Sequence, residues 1–501
     1  MQFNSFHFLW FFPLVIAIYF VIPKKMRYLW LLVCSYYFYM SWNPKYAILI
    51  ALSTLITYLS GLGIVQANGI KDSTIARRYK KWIVALSFIV NLSILVFFKY
   101  FDFILANINN LLSGTGIGII EKPFDVLLPV GISFYTFQAL SYTVDVYRGD
   151  VKAEKNIFKY ALFVSFFPQL VAGPIERSKN LLTQVEYVEE FKLWNYDRVT
   201  SGLILMLWGF FQKMVIADRV AILVDTVYDR YWLYGSTALI LATVLFAVQI
   251  YCDFASYSNI AIGAAEVMGF SLMENFNTPY FSLSIKEFWR RWHISLSTWF
   301  RDYLYIPLGG SKKGRIRKYV NTMIVFLVSG LWHGASWSFV AWGGLHGLYQ
   351  VIGDVTYSFR EKIKNKFHVK IESFSYKFGQ AIITFVLVDF AWLFFRANSL
   401  RNSIEIIYRI LTHNDLWTLF DETVYTWGLD QKEFKVVIFG LIVLLLVDLV
   451  KRFRKKRIDI FLRNQCLWFR WGVLFLLLFS CIIFGVYGQG YDASQFIYFQ
   501  F

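Results

Sequence analysis

The chain alternates between long apolar runs and short polar segments over almost its whole length. Many of the runs approach the ~20 residues that an α-helix needs to cross the hydrocarbon core of a membrane. A transmembrane β-strand would instead alternate polar and apolar residues with a period of two, so the pattern favours helices. About twelve spans are predicted, near residues 7–23, 28–44, 46–65, 82–107, 126–147, 199–222, 234–256, 319–340, 341–357, 378–397, 434–450 and 466–487. We therefore predict an all-α fold, a polytopic transmembrane helical bundle.

Two stretches do not have the pattern of a simple span. Residues 158–173 are apolar but short and are interrupted by Pro168, and residues 257–310 mix aromatic side chains with many charges. We expect both stretches to form re-entrant or interfacial helices. Irregular backbone at membrane depth must be satisfied by protein or by a water-filled cavity, so we also expect a cavity inside the bundle.

The composition supports a membrane environment. Of the 501 residues, 57% are hydrophobic, 20% are aromatic and only 17% are charged, which is far from the usual composition of a soluble domain. The sequence shows no internal repeat and no Ser/Gly-rich linker, so we predict one membrane domain over residues 1–501. The first span lacks a basic leader and a small-residue cleavage site, and we interpret it as a retained span.

The net charge of +17 has two interpretations. A basic surface can bind nucleic acid, but here Lys and Arg occur in short clusters between apolar runs, as the positive-inside rule predicts for cytoplasmic loops. We therefore predict no nucleic-acid partner and place the basic clusters on the cytoplasmic side. Both termini then lie outside, together with the acidic loop 398–433.

Three of the six histidines are His293, His333 and His346. His333 falls in the span predicted to begin at residue 319, ~20 Å from its cytoplasmic end. A titratable side chain at that depth indicates a functional site, and a neutral imidazole can act as a general base. The alternative is a structural imidazole bonded to a carbonyl of a neighbouring helix. We predict no metal site, because the four cysteines lack CxxC spacing and no further ligands accompany His333 at zinc-site spacing.

A basic segment surrounds His293. Arg290, Arg291 and Arg301 belong to the cluster of Lys and Arg between residues 286 and 318. Such a cluster can anchor the chain to anionic lipid. It can also form an entrance that attracts the phosphates of an acyl-coenzyme A or the acidic surface of an acyl-carrier protein. Residue types alone leave these alternatives open.

Asp253 is a carboxylate within the predicted span 234–256. A charged side chain so close to lipid is expected to pair with another group. It could orient an imidazole, pair with a loop arginine or form a purely structural ion pair, and the sequence does not choose among these.

Five motifs then make a family resemblance recognisable. They are LPVGISFYTFQ at 128–138, QLVAGPIER at 169–177, EFWRRWHISLS at 287–297, YLYIPLGG at 303–310 and LWHG at 331–334. Together they resemble the membrane-bound O-acyltransferase family, in the branch of the alginate O-acetylation proteins. The resemblance covers most of the chain, with the core motifs at about 126–350.

The resemblance implies an enzyme of the bacterial cytoplasmic membrane. It would take an acetyl group from cytosolic acetyl-coenzyme A, with no bound cofactor, and relay it across the membrane for O-acetylation of an envelope polysaccharide. His333 would be the catalytic base and His293 the second family histidine, whereas His346 would be structural. The candidate substrate-binding residues are Arg290, Arg291, Arg301, Trp332 and Asp253.

The resemblance also implies a central tunnel, as in the similar protein that D-alanylates teichoic acids. The last residues, 496–501, are similar to a terminal aromatic-x-Tyr-x-x-Phe motif that is thought to carry an acyl group on its tyrosine. That residue would be Tyr498, in an extracytoplasmic tail at 488–501. An aromatic interfacial anchor is the alternative for this tail. No Ser-His-Asp hydrolase domain is recognisable, so the last transfer to sugar would need an extracytoplasmic SGNH-type acetyltransferase as partner.

Two function classes other than an acyltransferase are alternatives for this chain. A transporter or flippase for an envelope polymer would use intramembrane His and Asp to relay protons, but the paired half-repeats common in transporters are not recognisable. A non-catalytic scaffold would leave envelope acetylation intact when His333 is replaced.

Overall fold

Helices account for the regular structure wherever the structure describes this chain. The computed structural model describes residues 1–113, 120–122, 128–487 and 497. No β-strand occurs within these residues, which confirms the all-α class. Apart from Ile497, the predicted tail 488–501 lies outside the described residues, and so does Tyr498.

The chain divides into two compact units, the first of which comprises residues 1–206 and 260–273. Its α-helices are α1 Phe6–Val21, α2 Arg27–Met40, α3 Ala47–Gln66, α4 Ser73–Leu112, α5 Ile132–Arg148, α6 Ile157–Ser165, α7 Thr183–Glu186 and the greater part of α8 Tyr196–Phe210. A π-helix spans Ser178–Leu182, and short 3-10 turns lie at Lys24–Met26, Pro44–Tyr46, Ala67–Gly69 and Val188–Glu190.

The second unit comprises residues 207–259 and 274–501. Its α-helices are α9 Asp218–Asp229, most of α10 Ser236–Met268, α11 Ile285–Arg291, α12 Ile294–Phe300, α13 Arg315–His333, α14 Trp337–Val355, α15 Tyr357–Lys366, α16 Phe374–Arg396, α17 Leu400–Thr412, α18 Gln431–Arg454, α19 Ile458–Arg463 and α20 Leu467–Phe484. π-Helices span Phe211–Ala217 and Arg301–Tyr305, and 3-10 turns lie at Tyr231–Leu233, Pro279–Phe281, Leu416–Leu419 and Glu422–Thr426. The single domain over 1–501 stays a prediction, because the chain passes between the units within α8 and α10.

Six helical segments in the described part of the chain are long and apolar enough to cross a membrane. They are Pro44–Gly69, Ser73–Leu112, Tyr196–Asp229, Ser236–Met268, Phe374–Arg396 and Leu467–Phe484. Over its most apolar window α10 is 78% buried, whereas α4 is only 17% buried. α10 is therefore an interior helix, and α4 exposes the apolar surface expected of a lipid-facing helix. The fold is that of a polytopic helical protein.

All twelve predicted spans fall on helices where the structure describes them. Six of these segments match the candidate membrane spans above, and the crossing of the other six stays a prediction. The predicted re-entrant stretch 158–173 contains all but the first residue of α6, a helix of nine residues, and no other helix. At 1.5 Å per residue α6 is about 13 Å long, too short to cross a membrane.

Two predicted boundaries are wrong. α10 continues to Met268, so residues 257–268 are regular helix, and the irregular segment begins only after them. Gly263 lies in this stretch of α10, so close to the carbonyl oxygen of Gly202 that a Cβ would clash with it. The predicted span 319–340 also ends early, since α13 terminates at His333 and Gly334 is extended.

Glycines bring α13 and α14 close together behind His333. A Cβ on Gly330 would lie 2.3 Å from the carbonyl oxygen of Phe339, and one on Gly343 would lie 2.2 Å from that of Phe326. The backbones of the two helices can approach each other this closely only without side chains at these positions. The side chain of Ser336 then caps α14 by accepting the N–H of Ser338. This packing fixes His333 against the buried face of α14.

Candidate functional site

His293 lies in the short link between α11 and α12. Its backbone φ is +44°, in the left-handed region that few non-glycine residues adopt, and it is the residue that precedes α12. The side chain is fully buried. Backbone strain of this kind persists only where the surroundings hold it, and it is frequent at active sites. The conformation turns the chain so that α12 starts directly after the histidine.

Asn275 holds His293 in place and sets its tautomer. The side-chain oxygen of Asn275 accepts the backbone N–H of Ser295 at 3.3 Å and the Ser295 hydroxyl at 2.9 Å. Nδ1 of His293 lies 3.0 Å from the same oxygen. Because a backbone N–H can only donate, the atom of Asn275 at this point is the oxygen, and Nδ1 of His293 must carry the proton. Burial holds the pKa of His293 well below its ordinary value. The imidazole is therefore neutral, with a lone pair on Nε2.

His333 is the last residue of α13 and is 5% exposed. Its ring centroid lies 6.4 Å from that of His293. Aromatic rings surround it, with centroids 4.9 Å away for Trp332, 5.0 Å for Trp342 and 5.4 Å for Phe395. Trp332 also lies 6.0 Å from His293. The structure thus brings together His293, His333 and Trp332, three of the residues predicted from sequence.

His346 belongs to the aromatic core beside this site. Its Nδ1 accepts the indole N–H of Trp289 at 3.3 Å. The rings of Trp342 and Trp392 pack around it, and the side chain is fully buried. Since the indole can only donate, Nδ1 of His346 is the unprotonated nitrogen. His346 is thus packed in the core, and its structural role stays a prediction.

A cavity of about 720 Å³ lies in the second unit, and neither His293 nor His333 is among its lining residues. Ser329 and Ser297 both line it. Ser329 precedes His333 by four residues on α13, and Ser297 follows His293 by four residues, so each is one helical turn from its histidine. The volume is within the usual range for small-molecule sites, about 300–1,000 Å³. Residues one helical turn from each histidine therefore line the cavity.

The charged lining of this cavity is mostly positive. Its charged members are Lys286, Arg290, Arg301, Lys318 and Asp354. Four cations against one carboxylate give a net charge of +3. Lys318 pairs with Asp354, and Arg301 pairs with its neighbour Asp302. Two of the predicted arginines, Arg290 and Arg301, thus stand at the cavity.

Arg291 is placed differently from the other two arginines. It forms an ion pair with Glu287 at 2.9 Å and donates to the carbonyl oxygen of Asn277 at 3.1 Å. These contacts hold α11 against the loop that contains Asn277. The geometry therefore gives Arg291 a structural task, and its predicted role in substrate binding has no support from its position.

Asp253 forms an ion pair within the second unit. Its partner is Lys213, whose Nζ lies 2.5 Å from Oδ1 of Asp253 and 2.7 Å from Oδ1 of Asp218. Lys213 stands in the π-helix Phe211–Ala217. Of the predicted alternatives, the structure shows an ion pair, made with a lysine and not with a loop arginine. The predicted part of Asp253 in substrate binding stays a prediction. Oδ2 of Asp253 also accepts the backbone N–H of Ile497 at 2.8 Å.

Comparison with known proteins decides the family. A family model described as the membrane-bound O-acyltransferase family matches residues 152–388. The protein named "Probable alginate O-acetylase AlgI" of Pseudomonas aeruginosa is 38% identical over 402 residues, which cover 79% of this chain and 72% of that protein. The chain belongs to the membrane-bound O-acyltransferase family. It is an O-acyltransferase and a multi-pass membrane protein.

Other relatives of this chain have names that specify different acceptors. The peptidoglycan O-acetyltransferase of Helicobacter pylori is 34% identical over 403 residues, covering 76% of this chain and 72% of that protein. The teichoic acid D-alanyltransferase of Bacillus subtilis is 28% identical over 266 residues, covering 49% of this chain and 63% of that protein. Family membership confirms the resemblance drawn from the motifs, and it favours the acyltransferase over the transporter and scaffold alternatives.

Sequence reasoning missed Asn275, Lys213 and Trp342. Asn275 is 18 residues from His293 in a polar loop, and no local pattern connects the two. Trp342 is fully buried, and its ring centroid lies 5.0 Å from that of His333 and 5.1 Å from that of His346. In the sequence it is one of many aromatic residues in an apolar run, so no signal distinguished it. For Lys213 a signal existed, because a lysine within an apolar run is costly and indicates a buried partner.

Proposed function

We propose that this membrane-bound O-acyltransferase takes an acetyl group from acetyl-coenzyme A and passes it across the bacterial cytoplasmic membrane for O-acetylation of an envelope polysaccharide. The observation that carries the proposal is the pair of buried imidazoles one helical turn from a basic cavity. The acetylated polymers named for the relatives, alginate and peptidoglycan, support a polysaccharide as the final acceptor.

The donor binds at the basic cavity in this proposal. Acetyl-coenzyme A carries several phosphate charges on one end and the thioester on the other. The cations of the cavity, among them Arg290 and Arg301, attract the phosphates, and the thioester points towards His333. The cavity then opens on the cytoplasmic side, in agreement with the positive-inside rule, and both termini lie outside.

His333 is the general base of the reaction. It takes the proton of an acceptor hydroxyl, and the hydroxyl oxygen attacks the carbonyl carbon of the thioester. The C–S bond breaks, and the coenzyme A thiolate leaves and takes up the proton from the imidazolium. The neutral His293 offers the lone pair of Nε2, so it serves as a hydrogen-bond acceptor at the reacting centre and is not a donor to the thioester oxygen.

The acceptor hydroxyl is that of Tyr498 in this proposal, so the tail carries the acetyl group as a phenol ester. A phenol has a pKa near 10. It is therefore a better leaving group than an ordinary alcohol, and its ester can pass the acetyl group to a serine nucleophile. That serine belongs to an extracytoplasmic SGNH-type acetyltransferase, which acetylates the polysaccharide.

Transfer of labelled acetyl from acetyl-coenzyme A to the purified full-length chain tests the proposal. We expect label on the protein, loss of that label in His333→Ala, and loss again in Tyr498→Phe. His413→Ala is the matched control, since His413 is exposed and bonded to its neighbour Thr412. Undiminished labelling in His333→Ala would overturn the role of His333. Label that persists in Tyr498→Phe would overturn the tail as acyl carrier while leaving the acyltransferase intact.

A further inference from the structure

A buried arginine in the first unit has only carbonyl oxygens as partners among the described residues. Arg27 is the first residue of α2 and is 7% exposed. Its Nη1 donates to three main-chain carbonyl oxygens of one turn, at 3.4, 3.4 and 3.0 Å, those of Val188, Glu189 and Phe191. These acceptors are neutral, so they leave the positive charge of the guanidinium unbalanced. A buried charge without a counter-charge is costly.

The other edge of this guanidinium bonds to no described residue. Nε of Arg27 is buried without a hydrogen-bond partner, and Nη2 donates to none of the residues that the structure describes. The N–H groups of Nε and Nη2 are parallel, an arrangement that binds two oxygens of a carboxylate or a phosphate at once. The protein therefore leaves unused the edge that is suited to an anion.

Tyr19 and Arg198 add two polar groups of the same kind beside Arg27. Tyr19, in the last turn of α1, is fully buried, and its hydroxyl bonds to none of the described residues. The guanidinium carbon of Arg27 lies 5.9 Å from the centre of the Tyr19 ring, and both arginines interact electrostatically with the phenol. Arg198 donates to the carbonyl oxygens of Lys192 and Leu193, each at 2.8 Å, while its Nε is buried without a partner.

The carboxylates of this region do not balance Arg27. Glu189 pairs with a lysine of α6 at 3.4 Å, Glu266 interacts electrostatically with Arg198, and Glu190 is exposed. The groups left over are two guanidinium nitrogens of Arg27, one of Arg198 and a hydroxyl, and all of them can donate hydrogen bonds. A ligand for them must be an anion with several acceptor oxygens, as a phosphate group is.

Exposed apolar residues beside the arginines indicate a lipid as the source of that phosphate. Val21 and Trp194 are each 84% exposed, and Tyr196 is 73% exposed. The ring of Trp194 lies 5.0 Å from that of Phe20 in α1. Exposed aromatic residues of this kind are typical of the membrane–water interface. The predicted orientation places this end of α1 at the cytoplasmic leaflet, where basic sites between helices bind the headgroups of anionic lipids.

We propose that Arg27, Arg198 and Tyr19 form a binding site for the phosphate of an anionic phospholipid. The unused edge of Arg27 takes two phosphate oxygens, and Nε of Arg198 and the hydroxyl of Tyr19 donate to the same group. The exposed apolar residues contact the lipid chains. The site lies within the first unit and does not depend on the proposed acyl transfer.

Two variants distinguish a shaped site from a general attraction by charge. Arg27→Lys keeps the positive charge but removes the pair of parallel donors. Tyr19→Phe removes a hydroxyl that bonds to no described residue, so no hydrogen bond among them is lost. Lys25→Gln is the control for charge, because Lys25 is exposed in the turn before α2. Tyr37→Phe is the control for a hydroxyl, since Tyr37 is exposed and bonded to His7 at 3.0 Å.

The readout is the thermal unfolding midpoint of the full-length chain, purified in an uncharged detergent. A ligand that binds the folded state raises this midpoint with its concentration, which gives an apparent Kd. The ligands compared are phosphatidylglycerol, phosphatidylcholine and inorganic phosphate. We expect the largest rise with phosphatidylglycerol. Its Kd should be about tenfold weaker in Arg27→Lys and in Tyr19→Phe, the factor for one hydrogen bond to a charged group. Lys25→Gln should lose less affinity than Arg27→Lys, and Tyr37→Phe should keep the parental Kd.

Each other outcome overturns the proposal. Equal rises with phosphatidylglycerol and phosphatidylcholine would show that no anionic lipid is selected. A parental Kd in Tyr19→Phe or in Arg27→Lys would remove that residue and with it the site, and Tyr19→Phe decides alone if Arg27→Lys does not fold. A greater loss in Lys25→Gln than in Arg27→Lys would show a general effect of charge. A rise with inorganic phosphate equal to that with phosphatidylglycerol would exclude the lipid as the source of the phosphate.

Discussion

Removing the side chain of Asn275 tests how the histidine pair is held. In Asn275→Ala the N–H at Nδ1 of His293 loses the acceptor that now lies 3.0 Å away, and the hydroxyl and N–H of Ser295 lose theirs. A buried donor left without a partner costs about 1–3 kcal/mol. If this free energy is lost from the arrangement of His293 that supports the reaction, acetyl transfer drops roughly five- to a hundredfold, since about 1.4 kcal/mol corresponds to a factor of ten.

Replacing Asn275 by aspartate adds a negative charge and keeps a side-chain oxygen as the hydrogen-bond acceptor. Asn275→Asp still accepts from Nδ1, and its carboxylate stabilises a proton on Nε2 of His293. The pKa of His293, which burial now holds well below its ordinary value, therefore rises in this variant. As the pH falls through the new value, Nε2 loses its lone pair and transfer declines. The parent chain should show no such decline above pH 6.

The assay is acetyl transfer by purified protein between pH 6 and 8. Asn277→Ala is the matched control, because Asn277 contacts Arg291 through its backbone two residues along the same loop. Parental activity in Asn275→Ala would refute the idea that this hydrogen bond positions His293. A flat pH profile in Asn275→Asp, with normal activity, would refute the assignment of the proton to Nδ1.

Three further changes have defined outcomes. Lys213→Met leaves the carboxylates of Asp218 and Asp253 together without their cation, and we expect a loss of about 3–5 kcal/mol in the free energy of unfolding, measured by denaturation in detergent. Burial raises the pKa of Glu176 to about 7 from 4.5, so the parent chain loses stability as the pH rises between these values, by up to about 3 kcal/mol. Thermal unfolding of Glu176→Gln should show a smaller loss over that range. Arg290→Glu lowers the net charge of the cavity from +3 to +1 and should raise the KM for acetyl-coenzyme A about tenfold in steady-state assays.

The controls for these changes come from the same segments. Adding Asp218→Asn to Lys213→Met should restore part of the lost stability, and a further loss would contradict the ion-pair interpretation. An equal pH dependence in Glu176→Gln and the parent would show that other groups cause it. Lys312→Glu makes the same charge change in the basic segment as Arg290→Glu, and an equal effect on KM would indicate a general influence of charge.

The long helices could be predicted because each is an apolar run of a length set by the membrane. The ends of these helices could not be predicted where tertiary contacts determine them. α13 stops at His333 because Gly330 and Gly343 allow α14 to pack closely behind it, and this packing depends on residues 13 positions apart. α10 runs on through residues 257–268, although the polar and charged residues after them suggested an earlier break.

In the candidate site, too, features that depend on neighbouring residues could be predicted, and contacts between residues distant in sequence could not. The motif around His293 and the depth of His333 were visible in sequence, and the structure brings the two residues together. The partners that set their chemistry were not visible, because Asn275 reaches His293 only through a folded loop. Asp253 was recognised as a residue in need of a partner, but its lysine stands 40 residues away on another helical segment.

The positions of the two histidines in their helices give them opposite electrostatic surroundings. His333 ends α13, where the unsatisfied carbonyls carry partial negative charge and stabilise a proton on the imidazole. His293 precedes the first turn of α12, where the N–H groups carry partial positive charge and oppose a proton. Two chemically identical side chains whose surroundings differ in this way divide into a base and a neutral hydrogen-bond acceptor. The fold therefore favours His333 as the residue that receives the proton when the thioester is attacked.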